Sequence, residues 1–544
     1  MRSYTDGMTL EEQIGQVLMA GFWGSTPSQE IIDLIQHHHV GNIILFSRNV
    51  RDTSQVLELT QSLQRIAKEA GHRYPLLIAI DQENGIVQRL GEAGTILPGN
   101  MALGAIGSQE IAYKVALATG NELKALGINM NLAPVVDVNN NPANPVIGVR
   151  SFGEDPQQVA RLGAAMVKGY HAAGILCSLK HFPGHGDTAI DSHLALPTIP
   201  HTLERLETVE LVPFRGGLAV GAESVMIAHV SLPALAGYAA LPATLSSAIV
   251  QGLLRERLGF NGVILSDCLE MKAISETFGT EQAAVMALKA GIDLVLVSHH
   301  YTQQRGSIEA LKAAVLGREL STQVIRQAAD RVLHLKARHL SWHDLTTSTT
   351  LPVSIGREAH LQLQNQAYEL STTLVRNEDG LLPLRMDSGE RIVLLSPQRN
   401  STTMVEDRYY SDDVLADIIE QYHVPVEILS VATGTLEDAC SKLLQTTGES
   451  DTIIVATVNA HLDERQAELV RYLISSGRRT IGIAVRNPYD LLAFPQLHTY
   501  LVTYEYTRPA LVAAVRVLFG EKQARGHLPV SIPVNLGILR LESG

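Results

Sequence analysis

The chain has 544 residues, which is more than one ordinary hydrophobic core accommodates, so we expect two or three domains. Its composition, 45% hydrophobic and 18% charged, is that of a globular protein and excludes a disordered chain. The formal net charge of −13, without a cluster of Lys and Arg, argues against nucleic acid as a partner, because phosphate attraction needs clustered positive charge. No stretch reaches the roughly 18 apolar residues of a membrane helix, so we expect no membrane partner either.

Cysteine usage and the first residues of the chain indicate the compartment. Cys177, Cys268 and Cys440 are far apart and have no metal-type spacing, which argues against a disulfide framework and suits a reducing environment. The segment Met1–Gln13 is polar and lacks the apolar run of a secretory signal. We therefore expect a cytoplasmic protein; a mature form whose signal peptide has been removed is the alternative.

Residues 1–345 repeat one unit: a short apolar strand, a loop and an amphipathic helix. Strands that are apolar throughout are expected to be buried on both faces of a parallel sheet. They are predicted at Gly41–Phe46, Pro75–Ile80, Asn129–Val138, Leu176–Lys180, Ser224–Ala228, Gly262–Ser266 and Asp293–Val297. Because no G-x-G-x-x-G or phosphate-loop motif follows a strand, the repeat predicts a (β/α)8 TIM-like barrel rather than a dinucleotide-binding sheet.

Two helices between these strands carry clear end signals. Gln109–Leu126 stops at Gly127, a typical C-terminal glycine. Pro156–Ala173 begins with a proline, and Asp155 stands in the capping position before it. His37–His39 is placed on a further predicted helix, where three consecutive histidines favour a solvated face over a metal site.

A polar stretch rich in threonine and serine, Thr346–Ser354, predicts a linker, which we place at residues 346–359 between domains 1–345 and 360–544. The strand–helix pattern then restarts, with strands predicted at Arg391–Leu395, Val424–Ser430, Thr452–Val458, Thr480–Val485 and Tyr500–Tyr504. The predicted fold class is therefore α/β, an N-terminal (β/α)8 TIM-like barrel followed by a C-terminal α/β/α sandwich domain.

Ionisable residues close several of the predicted barrel strands. A barrel of this kind builds its active site at the C-terminal ends of its strands, so these residues are expected to converge on one rim. They are Asp81, Asp137, Lys180, His181, His229 and Asp267. For any one of them a polar loop residue is the simpler interpretation, but together the five strand ends favour a functional site.

The densest polar segment is Lys180–Asp187, followed by Asp191 and His193. Its proline and glycines predict a shaped loop, and side chains two residues apart in an extended stretch point the same way. A carboxylate beside an imidazole favours the protonated ring, which can donate a proton to a leaving oxygen and later take one from water. A metal site and a purely structural loop remain alternatives, although the spacing matches no standard zinc motif.

At these residues the sequence resembles the family 3 glycoside hydrolases, in particular the bacterial β-N-acetylglucosaminidase branch. The most specific match is K-H-F-P-G-H-G-D from Lys180, followed by D-S-H from Asp191. Further matches follow in order along nearly the whole chain: Ile80–Glu83 with Arg89, Ile147–Gly153 with Asp155-Pro156, Val225–His229, Leu265–Met271, Thr373–Asn377, Gly380–Leu384 and Leu528–Pro533. The resemblance implies an exo-acting, retaining enzyme that removes terminal β-linked N-acetylhexosamine from peptidoglycan fragments during cell-wall turnover.

The resemblance also implies a role for each site residue. Asp267 is expected to attack the anomeric carbon and form a covalent glycosyl-enzyme, with His193 as the acid/base and Asp191 as its partner. The residues expected to hold sugar hydroxyls are Asp81, Arg89, Arg150, Lys180 and His181. No cofactor or metal is implied, the partner is a small carbohydrate that contains N-acetylglucosamine, and a monomer or weak oligomer is expected. The second domain is expected to be structural or to shape the mouth of the cleft.

Two departures from the family pattern bear on these roles. Asn84, Gly85 and Ile86 stand where the family usually has Gly-Gly-Arg, and the lost arginine is expected to loosen the support of the Asp81 loop. Cys268 replaces a residue that is often small or acidic, which we interpret as mild variation. Four alternatives stay open: a phosphorylase or a β-glucosidase of the same family, a glycan-binding relative without turnover, and a metal-dependent hydrolase. Phosphorolysis is among them because a neutral imidazole does not repel an incoming phosphate.

Overall fold

The first domain is built on a closed barrel of eight parallel strands. Its strands, with one small hairpin, are β1 (Leu18–Ala20), β2 (Asn42–Leu45), β3 (Leu77–Ile80), β4 (Gln82–Asn84), β5 (Val87–Gln88), β6 (Met130–Asn131), β7 (Leu176–Phe182), β8 (Ser224–Ile227), β9 (Val263–Cys268) and β10 (Leu294–Val297). The barrel order is β1-β2-β3-β6-β7-β8-β9-β10, with β10 pairing back to β1, while β4 and β5 pair with each other. The predicted TIM-like barrel is confirmed.

Helices follow most of the barrel strands. They are Leu10–Gln16, Gln29–Gln36, Thr53–Glu69, Asn100–Ile106, Gln109–Ala125, Pro156–Ala173, Leu203–Thr208, Leu211–Ala219, Pro233–Ala236, Lys272–Phe278, Thr280–Ala290, Tyr301–Leu316 and Thr322–His339, with a π-helical segment at Ala248–Arg257. The Asp155 cap is confirmed, since its carboxylate accepts from the NH of Gln157 at 2.9 Å. The placement of His37–His39 on a helix was wrong, because that helix ends at Gln36.

Two strand predictions for the barrel need correction. β1 was missed because it has three residues and follows the helix Leu10–Gln16 after a single residue, so no separate apolar run marks it. The predicted strand Asn129–Val138 was too long, since the ladder is formed at Met130–Asn131. Pro134 has no NH to donate to a ladder, and Val135 adds one isolated bridge to β7.

Residues that alternate along the barrel strands belong to two separate cores, one inside the barrel and one between the barrel and its helices. Met19, Leu77, Ala79, Leu265 and Leu294 belong to one buried cluster, which is composed mainly of strand residues and fills the barrel interior. Their strand neighbours belong to a larger cluster that includes the apolar faces of the surrounding helices. The strands are therefore buried on both sides, as their continuous apolar sequences predict.

The second domain is a three-layer α/β/α sandwich on a six-stranded sheet. Its strands are β11 (Thr373–Asn377), β12 (Ile392–Leu395), β13 (Val426–Leu429), β14 (Thr452–Thr457), β15 (Arg479–Ala484) and β16 (Thr499–Val502), in the order β11-β16-β15-β14-β12-β13. Its described helices include Glu358–Ser371, Val414–Glu420, Glu464–Ser475 and Arg508–Leu518. Neighbours such as Ile453 and Ile454 enter different cores on opposite faces of the sheet. The edge strand β11, which is antiparallel, was not predicted.

The structure, a computed structural model, describes residues 3–237, 241–343, 345, 355–395, 405–407, 411, 413–429, 440, 441, 443 and 445–533. The linker segment Thr346–Ser354 and Ser430 of one predicted strand lie outside these residues, so the domain boundaries stay a prediction. Among the described residues no helix has the length and apolar character to cross a bilayer.

The two domains are joined by buried polar contacts. His360 donates to Glu122 at 2.6 Å, and the amide of Asn139 donates to the hydroxyl of Tyr489 at 2.9 Å. The carboxylate of Glu505 accepts from the NH of Gly99 at 3.1 Å. Because these groups lose water on docking, their pairing fixes how the second domain sits on the barrel.

Candidate active site

A cavity of about 340 Å³ opens at the C-terminal ends of the barrel strands. Seven of the eight site residues predicted from the sequence line it: Asp81, Arg89, Arg150, Lys180, His181, His193 and Asp267. The eighth, Asp191, is hydrogen-bonded to the cavity residue His193. The barrel therefore brings the predicted residues into one place from positions far apart in the sequence.

Asp267 is held as an anion at the end of β9. The NH of Cys268 donates to its Oδ1 at 2.7 Å. Burial alone would raise the pKa of the Asp267 carboxyl. The imidazoles of His229, His181 and His193, together with that NH, outweigh burial and hold this pKa below its ordinary value of 3.8. A charged carboxylate in a cavity is suited to attack an electron-poor carbon.

Asp191 and His193 form a hydrogen-bonded pair, as their spacing predicts. Nδ1 of His193 donates to Oδ1 of Asp191 at 2.8 Å, and the backbone NH of His193 donates to the same oxygen at 2.9 Å. Burial alone would raise the pKa of Asp191, but the imidazole beside it lowers the net pKa below the ordinary value. Because Nδ1 is taken by the carboxylate, Nε2 is the nitrogen that remains to exchange a proton.

The loop that carries this pair is fixed along its length. The side-chain amide of Asn144 donates to the carbonyls of His185 and Gly186 at 2.9 and 2.8 Å. The buried ring of His185 is hydrogen-bonded through both nitrogens within the loop. At Gly186 an added Cβ would lie 1.7 Å from the carbonyl oxygen of Val138, so this close approach requires glycine. The fold of the loop therefore sets the position of His193.

A charged cluster lines the cavity wall around Asp81. Nζ of Lys180 donates to Asp81 at 2.6 Å and lies 2.7 Å from Glu83. Arg150 donates to both oxygens of Glu83, at 2.8 and 2.7 Å. Burial alone would raise the pKa of Glu83, but the two cations hold it well below its ordinary range. Carboxylate acceptors beside cationic donors suit the hydroxyl groups of a sugar, and Glu83 is a member that the sequence prediction left out.

His181 and His229 both close barrel strands, but they face different surroundings. The His181 ring lines the cavity, and its Nδ1 donates to the buried Asp137 at 2.7 Å. His229 is fully buried, its Nε2 donates to the carbonyl of Cys268 at 2.9 Å, and burial lowers its pKa. His229 therefore positions the strand end that carries Asp267.

The second domain supplies part of the cavity wall through Val405, Glu406 and Asp407. Asp407 accepts from Arg89 at 2.6 Å and from the NH of Gln88 at 3.0 Å. That this domain is structural or shapes the mouth of the cleft stays a prediction; the structure shows that three of its residues line the cavity. Arg89 lines the cavity as predicted, and one of its guanidinium nitrogens is engaged with Asp407.

Both halves of the chain match models of one enzyme family. Residues 9–335 match the N-terminal domain of glycosyl hydrolase family 3, and residues 372–542 match its C-terminal domain. The chain belongs to glycoside hydrolase family 3. It is a glycoside hydrolase, as the resemblance implied.

Relatives in family 3 match nearly the whole chain. Beta-hexosaminidase A of Pseudoalteromonas piscicida is 33% identical over 566 aligned positions, which cover 93% of this chain and 92% of the relative. The structure of a family 3 β-N-acetylglucosaminidase from Paenibacillus sp. str. FPU-7 is 41% identical with a TM-score of 0.90, over 96% of this chain and 99% of that one. A fungal multi-domain family 3 β-N-acetylglucosaminidase is 44% identical with a TM-score of 0.91; the match covers 98% of this chain and 62% of the fungal one.

The departure from the family 3 pattern at Asn84–Ile86 lies in the β4–β5 hairpin. Asn84 and Gly85 have φ of 69° and 64°, and Asn is among the residues that tolerate this left-handed conformation where the family has glycine. Ile86 packs against a core of the second domain, and its carbonyl accepts from the NH of Asp407 at 3.1 Å. Around this departure, Lys180 donates to Asp81 and the second domain contacts the hairpin through Asp407, whose carboxylate accepts from the NH of Gln88.

Besides Glu83, the cavity residues Trp23, Arg48 and His299 escaped the sequence prediction of the family 3 site. Trp23, 62% exposed, follows the missed strand β1 and donates from its indole to the carbonyl of His299 at 3.2 Å. The Arg48 guanidinium lies 4.5 Å from the Trp23 ring centroid and donates to Nδ1 of His299 at 3.0 Å. Arg48 lies shortly after the end of β2. The expectation that ionisable residues after barrel strands line the site, which identified Asp81, would therefore have identified Arg48 as well.

Proposed function

We propose that the protein is an exo-acting, retaining β-N-acetylglucosaminidase. The observation that carries the proposal is that anionic Asp267 shares one cavity with the imidazole of the Asp191–His193 pair. A retaining glycosidase needs one group that attacks the anomeric carbon and a second that first gives and then takes a proton. The names of the family 3 relatives support N-acetylglucosamine as the sugar.

The first step joins the sugar to the enzyme. An oxygen of Asp267 forms a bond to the anomeric carbon while the bond to the leaving oxygen breaks, and His193 gives its Nε2 proton to that oxygen. The carboxylate of Asp191 stabilises the imidazolium beforehand. Positive charge develops on the sugar in the oxocarbenium-like transition state, and the negative charge of Asp267 offsets it.

The second step releases the sugar. The imidazole of His193, now neutral, takes a proton from water as the water oxygen attacks the anomeric carbon. The bond between that carbon and Asp267 breaks, the β configuration is retained, and both side chains return to their starting protonation states.

The surroundings of the cavity support a terminal sugar as the bound unit. Lys180, Glu83 and Arg150 provide a dense polar wall, and Asp407 of the second domain lines the same cavity. Charged donors and acceptors gathered in this way suit the hydroxyl groups of one terminal sugar. We propose peptidoglycan fragments in the cytoplasm as the source of that terminal sugar.

The experiment compares nitrophenol release from aryl β-N-acetylglucosaminide and aryl β-glucoside by wild type and Asp267→Ala. We expect turnover of the acetamido sugar, and a fall in kcat of roughly 10³-fold or more in the variant, since the nucleophile is lost. Thermal unfolding of Asp267→Ala serves as the folding control. Glucoside turnover alone would make the enzyme a β-glucosidase, and sugar binding without any turnover would make it a glycan-binding relative.

Phosphorolysis is the second candidate, favoured by the imidazole acid/base and by Arg48 in the cavity wall. A neutral imidazole does not repel an anionic acceptor, and a guanidinium attracts one. The same assay is run with and without phosphate. Faster turnover together with a sugar 1-phosphate product selects the phosphorylase, and an unchanged rate selects the hydrolase.

A further inference from the structure

Three side chains of types that commonly bind metals converge at the N-terminal face of the barrel. This face lies at the opposite end of the strands from the cavity. His171 lies in the last turn of the helix Pro156–Ala173, Cys177 is the second residue of β7, and Glu223 directly precedes β8. Cys177 lies four residues before His181 on the same strand, which places the two about 13 Å apart. This cluster is therefore separate from the glycosidase site.

We propose that His171, Cys177 and Glu223 form a binding site for a divalent zinc-type cation. Sγ of Cys177 lies 3.4 Å from Oε2 of Glu223 and 3.9 Å from Nε2 of His171. Nε2 of His171 lies 2.8 Å from Oε1 of Glu223. Ligand atoms around tetrahedral zinc are separated by roughly 3.4–3.6 Å, as zinc–ligand bonds of about 2.0–2.3 Å require. With one ligand atom from each residue, the three atoms lie within 4.8 Å of one another, so the side chains must move closer together to reach these separations.

The local charge favours a cation. Glu223 is a half-buried carboxylate, and within the part of the chain that the structure describes no Lys or Arg forms an ion pair with it. Its hydrogen-bond donors are the His171 ring and the thiol and NH of Cys177. Binding breaks the S–H bond, forms a metal–sulfur bond and releases the proton to solvent. A water molecule fills the fourth position.

A second cluster of the same residue types, Cys268, Glu270 and His299, provides the contrast. There the guanidinium of Arg48 donates to the ring of His299, and this fixed positive charge disfavours a second cation. Glu270 accepts from the backbone NH groups of Ser298 and His299 at 2.5 and 2.7 Å. These contacts leave less negative charge for a metal than Glu223 has.

The proposed site is structural. It links the helix Pro156–Ala173 to β7 and β8, three neighbouring elements of the barrel, and a bound ion favours the folded state by mass action. Contacts at the N-terminal face of such barrels serve stability rather than chemistry. Zinc at this site is therefore expected to raise Tm without changing glycosidase turnover.

The test titrates cobalt(II), as a probe for zinc, into the full-length protein after dialysis against a chelator. We expect a sulfur-to-cobalt charge-transfer band at one equivalent that zinc displaces, and a rise in Tm of about 5 °C with excess zinc. Cys177→Ser and Glu223→Gln should lose both signals. Cys268→Ser and Cys440→Ser, matched changes at the other two thiols, should keep both.

Three results would overturn the site. One is a wild-type titration without the sulfur band, which decides the matter even if Cys177→Ser does not fold. Another is a band that persists in Cys177→Ser and disappears in Cys268→Ser, which would move the metal to the cavity. The third is zinc inhibition of turnover with no change in Tm.

Discussion

At the scale of single residues, the cavity gives different tasks to groups of the same type. Asp267 and Asp191 both have a pKa below the ordinary value, but Asp191 is bonded to an imidazole and Asp267 to a backbone NH. His193 lines the cavity and is proposed to exchange protons, whereas His229 is buried against the backbone beside Asp267. Environment therefore separates Asp267 from Asp191 and His193 from His229, although each pair shares a residue type.

This division of roles predicts that the loss of activity in His193→Ala depends on the leaving group of the substrate. Substrates with a poor leaving group need a proton in the first step, so their kcat/KM should fall by about 10²–10⁴-fold. The dinitrophenolate of a dinitrophenyl glycoside leaves as a stable anion without a proton. The rate of the first step with this substrate should therefore stay close to that of wild type. Stopped-flow release of the two leaving groups measures the difference. An equal loss with both substrates would mean that His193 binds the sugar instead of carrying the proton.

At the scale of elements, the loop after β7 is the part of the barrel that carries the proposed acid/base pair. Its position comes from Asn144, from the buried ring of His185 and from the close approach at Gly186. The second domain acts on the neighbouring β4–β5 hairpin through Asp407 in a similar way. The loop and the hairpin that carry the proposed catalytic and sugar-binding side chains are therefore held by buried polar contacts.

Gly186→Ala tests this dependence. Its Cβ would meet the carbonyl of Val138 at 1.7 Å, so the loop must move, and kcat/KM should fall by roughly 10²-fold because misplacement by about 1 Å has that effect. Gly252→Ala is the matched control, since nothing lies within 4 Å of a Cβ there. Steady-state kinetics and Tm are compared for the three proteins. A Gly186→Ala enzyme with wild-type kinetics would show that the loop adjusts freely.

At the scale of the whole molecule, local sequence patterns predicted features within one strand–helix unit but not contacts between distant parts of the chain. Strand ends carrying Asp81 and Asp267 were found because parallel strands end on the same side of a barrel. The pairing of Arg89 with Asp407 was not found, because 318 residues separate the partners and no local periodicity encodes it. Trp23 was missed together with β1, whose three residues give too short a pattern to read.

Glu505 is the clearest case of such a long-range contact, and we expect its burial to make the stability of the protein sensitive to pH. The carboxyl is fully buried at the junction, where it accepts from the NH of Gly99 and from the hydroxyl of Tyr368. Burial raises its pKa to about 7 from an ordinary value of 4.5. Below pH 4.5 the Glu505 carboxyl is protonated in the folded and the unfolded chain, so its burial costs no ionisation free energy. Between pH 4.5 and about 7 it ionises only in the unfolded chain, so the free energy of unfolding falls as pH rises.

Glu505→Gln removes this titration while keeping the size of the side chain. The variant should gain about 3 kcal/mol in free energy of unfolding relative to wild type between pH 4.5 and pH 8, in proportion to the shift in pKa. Denaturant unfolding at the two pH values measures the gain, with Glu521→Gln, an exposed glutamate of the same domain, as the control. A gain that is the same at both pH values would show that Glu505 stays ionised at the junction, and that its hydrogen bonds offset its burial.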